Sequence, residues 1–215
     1  METIKKIVFA ALVLFIGEFH AQNLVQNGSF DAPLTKETRL IKNAGWANLK
    51  IFTEDTTWNK AARMTVTEIY TMAKNGHKHF LAWIYVGGDG SKNTSAYKIE
   101  PETSYRFSLR LKTNIKPEQA NILCRVGNFG ADGKQEKRLA QTPVLKNLNE
   151  KDWTNISGTF HSGKETEVLL WIPIYSNTEH NEKMLMSVGQ WLMVDDVVIE
   201  KIQTLPEVSK SEKKN

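Results

Sequence analysis

The sequence has a single cysteine, Cys124, among its 215 residues. One thiol excludes both an internal disulfide framework and a cysteine zinc cluster, so a packed core must hold the fold. Cys124 lies in the apolar stretch 122–126, and free cysteine behaves as a small hydrophobic side chain when it is buried. The sequence therefore predicts that Cys124 is a buried, unreactive core residue.

Long apolar runs are also missing, except at the start of the chain. Lys5 and Lys6 precede an apolar run over 7–16, and the small residue Ala21 follows it. This pattern is typical of a secretory signal peptide, and the run is much shorter than the roughly 20 residues that a membrane-spanning helix needs. We predict a signal peptide over 1–21. No cysteine follows it to accept a lipid, so we expect a soluble protein, secreted or periplasmic, with no membrane insertion.

The chain carries no strong excess of charge of one sign, since its formal net charge is only +4. Part of that excess lies in the final stretch SKSEKKN, and we predict a disordered basic tail over 204–215. A predicted export signal and the absence of a DNA-recognition helix or an RNA-binding aromatic motif argue against a nucleic-acid partner. The remaining residues, 22–203, are predicted to form one monomeric domain.

Convincing amphipathic helices are absent, and apolar residues instead recur at every second position in several segments. That period is typical of half-buried strands, and glycine-containing turns separate the segments. The sequence predicts an all-β fold, a jelly-roll β-sandwich of two antiparallel sheets. Its predicted core positions in three of these strands are Tyr105, Phe107, Leu109 and Leu111; Val168, Leu170, Ile172 and Ile174; and Val194, Val197 and Ile199.

Aromatic side chains on two predicted strands are the candidate binding residues. If the aliphatic set of 168–175 faces the core, then Trp171 and Tyr175 point outward on one face. Flat rings of this kind can cover the apolar side of a sugar. Trp83 and Tyr85 alternate with Ala82, Ile84 and Val86, and the pattern leaves open which set is buried. The basic residues that alternate away from the core and could supply hydrogen-bond donors are Arg110 and Arg125.

Four short motifs follow one another along the chain: NLVQNGSFDAP over 23–33, IEPETSYRFSL over 99–109, WTNISGTF over 153–160 and WLMVDDVVI over 191–199. In order and spacing they resemble the family 4/9 group of carbohydrate-binding modules. The resemblance implies a galactose-binding-like jelly roll, a polysaccharide or oligosaccharide as partner, and often a structural calcium ion. It places that ion where the first and last strands meet, which nominates Asp31 and Asp196 with help from the backbone of Ser29. The alternative for Asp31 is a turn before Pro33.

Catalysis is the weaker interpretation of the carboxylates. Asp195 and Asp196 are adjacent, so on a regular strand their side chains would point to opposite faces and could not share a proton. Glu165 and Glu167 flank a Ser-Gly turn and resemble solvent-facing charge. We therefore favour a secreted, non-catalytic carbohydrate-binding protein. A surface adhesion or assembly domain without sugar binding is the alternative, and a jelly-roll glycosidase or polysaccharide lyase comes third.

Overall fold

Strands make up all the regular structure that the computed structural model describes, and no helix occurs there. The described residues are 22–32, 40–44, 47–56, 59–69, 81–86, 96–129, 136–177 and 186–203. Within them, contacts group Asn23–Ile202 into one unit. The strands are β1 (Leu40–Ala44), β2 (Ala47–Thr56), β3 (Asn59–Ile69), β4 (Leu81–Val86), β5 (Tyr97–Lys98), β6 (Ser104–Thr113), β7 (Ala120–Ile122), β8 (Arg125–Phe129), β9 (Glu136–Gln141), β10 (Thr154–His161), β11 (Glu167–Ser176) and β12 (Trp191–Lys201).

These strands form two antiparallel sheets. The seven-stranded sheet has the order β1-β4-β11-β8-β9, with β5 and β7 also paired to β11. The five-stranded sheet has the order β10-β6-β12-β3-β2. Strand β11 is therefore the centre of one sheet, and β12 is the centre of the other. The predicted all-β sandwich of two antiparallel sheets is confirmed.

The core lies between the sheets and consists of alternate side chains from their central strands. Tyr105, Phe107 and Leu109 of β6 are buried, while the residues between them are more exposed. Leu170 and Ile172 of β11 belong to the same apolar cluster. Burial of one such side chain contributes about 1.5–3 kcal/mol to stability. The apolar face of each strand is therefore the buried one, as the two-residue period of the sequence predicted. All eleven predicted core positions are buried.

The start of the described chain crosses the last strand through one asparagine and one glycine. The side-chain carbonyl of Asn23 accepts hydrogen bonds from the amides of Val25 and Ile199, each at 3.0 Å, and its amide donates to the Val197 carbonyl at 3.1 Å. At Gly28 an added Cβ would lie 2.0 Å from the Val197 carbonyl oxygen. Only glycine permits this close approach of two backbones.

Cys124 is fully buried, as predicted, and its amide donates a hydrogen bond to the Thr142 hydroxyl at 3.0 Å. Burial raises the pKa of the Cys124 thiol well above its usual range. A protonated, enclosed thiol is a poor nucleophile, so the side chain serves packing.

The predicted signal peptide over 1–21 and the predicted tail over 204–215 lie outside the described residues, and both stay predictions. No helix in the described part of the chain is long and apolar enough to cross a bilayer. The predicted monomeric state also stays a prediction.

Candidate functional site

One row of side chains crosses the seven-stranded sheet on the face turned away from the core. Strand register places Trp171 of β11 opposite Tyr85 of β4 on one side and Arg125 of β8 on the other, and Arg125 lies opposite Gln141 of β9. Tyr175, four residues after Trp171, shares the face because side chains alternate along a strand. We call the surface formed by Tyr85, Trp171, Tyr175 and Arg125 the aromatic face.

Trp171 is buried, with only 1% of its surface exposed, so the prediction that its ring points into solvent was wrong. The alternation was correct, because Trp171 lies outside the apolar cluster that contains Leu170 and Ile172. It lies on the central strand β11, between Tyr85 of β4 and Arg125 of β8 by register. The Tyr85 ring lies 6.4 Å from the Trp171 ring, tilted by 38°. Trp171 is therefore the floor of the aromatic face.

Tyr175 is partly exposed, as Tyr85 is, so its ring is accessible on this face. The Arg125 guanidinium lies 5.7 Å from the centre of the Tyr175 ring, within the range of a cation–π contact. On the same edge of β11 as Arg125, register places Asn121 of β7 opposite Tyr175. The Asn121 amide donates a hydrogen bond to the side-chain carbonyl of Asn177 at 2.9 Å. An apolar ring beside a guanidinium and amide groups offers both kinds of contact that a sugar needs.

Two other predicted aromatic residues lie on β4. Tyr85 is half-buried, and burial followed by the negative charge of Glu136 raises its pKa to about 12. Its hydroxyl therefore stays protonated and can donate a hydrogen bond at any physiological pH. Trp83 lies opposite Pro173 of β11 by register, and its side chain lies outside the described residues.

Arg110 lies on the other sheet, so the prediction that it stands beside these aromatic residues was wrong. On β6 it pairs with Asp195 of β12, with Nη2 2.7 Å from Oδ2. Its Nε also lies 2.9 Å from Oδ2 of Asp196, and the guanidinium lies 5.3 Å from the Trp153 ring. Alternation had placed Arg110 and Arg125 outward correctly, but it carries no information about which sheet each strand joins.

Asp195 and Asp196 both contact this arginine, which overturns the expectation that they point to opposite faces. The register of β12 against β6 shifts between Asp195 and Val198, and Asp196 has a left-handed backbone with φ of 47°. Such a bulge turns one side chain back toward its neighbour. Burial, together with the charge of Asp196, raises the pKa of Asp195, against the opposing effects of the Asp196 amide and Arg110. We call this group the arginine clamp.

Comparison with known proteins identifies the family of this chain. A family model described as a carbohydrate binding domain, CBM_4_9, matches residues 22–177. The chain belongs to this carbohydrate-binding family. The resemblance predicted from the four motifs is thereby confirmed. No curated protein matches the chain at a significant level.

Solved structures resemble the fold at low sequence identity. A tandem CBM22 domain from Paenibacillus barcinonensis is 12% identical, with 92% of this chain and 50% of that chain covered and a TM-score of 0.50. A structure of carbohydrate-binding modules from the β-sandwich superfamily is also 12% identical, with 86% and 62% covered and the same TM-score. At this identity the likeness shows the fold alone.

The structural calcium ion that the motif resemblance implies was predicted at Asp31, Asp196 and Ser29. Ser29 and Asp196 line one groove of 610 Å³ beside the β12 bulge, whereas Asp31 is exposed and is not part of its lining. Within the described residues no group of three His, Cys, Asp or Glu side chains could hold a metal. Calcium takes six to eight oxygen ligands, and Asp196 already faces Arg110. As arranged, these side chains do not fit a closed calcium site.

Calcium binding by a rearranged site stays a prediction, which thermal unfolding can test. If calcium displaces Arg110 from Asp196, millimolar calcium should raise the melting temperature relative to chelator, and Asp196→Ala should remove the increase. A ligand at a hundredfold excess over its dissociation constant stabilises the native state by about 2.7 kcal/mol. Equal melting temperatures in calcium and chelator would contradict calcium binding to the native state.

Sequence reasoning missed three polar residues of the aromatic face. These are Asn121, Glu136 and Gln141. Glu136 and Gln141 both contact Arg125 from β9. This strand, EKRLAQ, lacks a clear two-residue period and has a register shift against β8, so no pattern indicated which of its side chains share a face. Asn121 was hidden because β7 is only three residues long.

Proposed function

We propose that this protein is a secreted, non-catalytic carbohydrate-binding protein that holds a glycan against the aromatic face. Membership of the carbohydrate-binding family supports glycan binding. The observation that carries the location is the partly exposed Tyr175 ring, which lies beside Arg125 and opposite Asn121. The ring can cover the C–H side of a pyranose, and the polar groups can bond its hydroxyls.

Absence of catalysis is supported by the carboxylates of this sheet. Glycosidases use two carboxylates that flank the scissile bond. The described strands of the seven-stranded sheet contribute two, Glu136 and Glu167. Glu136 is ion-paired with Arg125 and Arg138, and Glu167 with Lys98. Each is engaged by a basic side chain, an arrangement that favours structure and binding over nucleophilic attack.

The test is the loss of binding in Tyr175→Ala. We expect the affinity for a bound polysaccharide to fall by about 2 kcal/mol, roughly 30-fold, because an accessible ring beside Arg125 is removed. Affinity gel electrophoresis against xylan, mixed-linkage β-glucan and galactan would first identify a ligand and then compare the variants. The same mixtures should release no reducing ends and no unsaturated products.

Trp153→Ala is the matched control, because its ring also contacts an arginine, Arg110, but lies beside the five-stranded sheet. It should bind the same polysaccharide as well as the wild type does. Unchanged affinity in Tyr175→Ala, or an equal loss in both variants, would contradict the proposed location. Released sugar would contradict the absence of catalysis.

A further inference from the structure

Arg125 of the aromatic face is paired with polar and acidic side chains of the neighbouring strand β9. The Arg125 side chain is only 13% exposed, and its Nε donates a hydrogen bond to Gln141 at 2.8 Å. One of its terminal nitrogens donates to Glu136 at 3.3 Å. The other carboxylate oxygen of Glu136 accepts from Nε of Arg138 at 2.8 Å. Glu136 thus lies between two arginines and engages both.

This arrangement works against binding of an anion at Arg125. A guanidinium recognises a carboxylate or sulfate best through two parallel hydrogen bonds, which give the contact its strength and direction. In Arg125 the Nε position is already used by Gln141, and the Glu136 carboxylate is a rival acceptor within the protein. An approaching anion would also meet the like charge of Glu136, and unfavourable juxtaposition of like charges is costly.

The charge of Glu136 also reaches the far side of the face. Tyr85 and Arg125 flank Trp171 on opposite sides by register. The pKa of Tyr85 is raised first by burial and second by the charge of Glu136. A single carboxylate on the edge strand β9 therefore influences the positions on both sides of the floor residue.

We propose that Glu136 sets the charge selectivity of the aromatic face: by occupying Arg125, it restricts the face to uncharged glycans and excludes chains that carry carboxylates or sulfates. This inference rests on the proposed function of the same face. It goes further by naming the class of ligand and the residue that selects it.

The test compares one uncharged and one acidic probe on the same variants. Wild-type protein should bind the uncharged polysaccharide at least about tenfold more tightly than polygalacturonate, since the acid meets a matched arginine and a like charge. In Glu136→Gln the ratio of the two affinities should fall by about tenfold, because Arg125 and Arg138 both lose their acid. Low ionic strength is the condition of choice, where exposed charges are least screened.

Two further variants separate selectivity from folding. Glu165→Gln removes an acid that pairs with Lys137, which lies on β9 next to Glu136. In the described structure Glu165 makes no contact with Arg125. The ratio of the two affinities in this variant should therefore match that of the wild type. Glu136→Asp keeps the charge and should keep most of the selectivity. A denaturant midpoint measured on each variant shows that all are folded at the temperature of the binding assay.

Equal wild-type affinity for both probes would overturn the inference while leaving the proposed function in place. So would an unchanged ratio in Glu136→Gln. If the wild type binds neither these probes nor any glycan of a broad panel, the proposed function itself fails, and the inference falls with it.

Discussion

Trp171→Ala is expected to lower the free energy of unfolding by about 3–5 kcal/mol, the usual cost of truncating a large buried aromatic residue. The ring is 1% exposed, lies on the central strand of its sheet and packs against Tyr85. Its removal leaves a cavity that strands β4 and β8, both hydrogen-bonded to β11, cannot close by moving. Urea denaturation followed by circular dichroism measures the effect.

The control is Tyr175→Ala on the same strand and the same face. Because that ring is partly exposed, its removal should cost far less stability than removal of Trp171. The two variants distinguish a structural ring from a binding ring. Trp171→Ala should mainly lower the free energy of unfolding, and Tyr175→Ala should mainly lower the glycan affinity. A wild-type midpoint in Trp171→Ala would show that the ring is accessible after all and would restore it as the platform.

Arg110→Met is expected to cost about 3 kcal/mol at neutral pH, because it removes the guanidinium that pairs with the buried Asp195 carboxylate. Asp195 is 1% exposed, and the methionine side chain retains much of the apolar stem of the arginine. The matched control is Arg106→Met, on the same strand and face. Arg106 pairs with Glu200 but is 60% exposed, so its loss should cost at most about 1 kcal/mol.

The pH dependence gives this prediction a second readout. Burial already raises the pKa of Asp195, and loss of Arg110 should raise it further. A carboxyl group whose pKa is higher in the folded state binds more protons when folded, so stability rises as the pH falls through that folded pKa. The deficit of Arg110→Met relative to the wild type should therefore shrink toward acid pH. A deficit that is independent of pH would show that lost packing, not an unpaired charge, is the cause.

Asp195→Asn, made alone and together with Arg110→Met, completes a double-mutant cycle. If the charge is the cause, the second substitution should recover part of the loss, because an amide needs no cation beside it. Equal destabilisation in Arg110→Met and Arg106→Met would mean that the arginine clamp contributes no more than a surface ion pair.

Local patterns in the sequence predicted much of the fold. The alternation in β6 and β11 predicted which side chains enter the core, since side-chain direction along a strand depends only on whether a position is odd or even. The motifs at both ends and in the middle predicted the family. The Asn23 and Gly28 of the first motif are required by their contacts with the last strand.

The site required more than these patterns. Alternation placed Trp171 and Arg110 outward, but it could not say that β11 is the central strand of its sheet or that Arg110 and Arg125 belong to different sheets. The bulge at Asp196 depends on pairing between segments far apart in the chain, and so does the contact of Glu136 with Arg125. By itself, then, the sequence determined the all-β class, the inward faces of the clearly alternating strands and the family. Only the tertiary structure decided which outward residues meet, how deeply each is buried and which charges are matched, because those properties arise between strands and not within them.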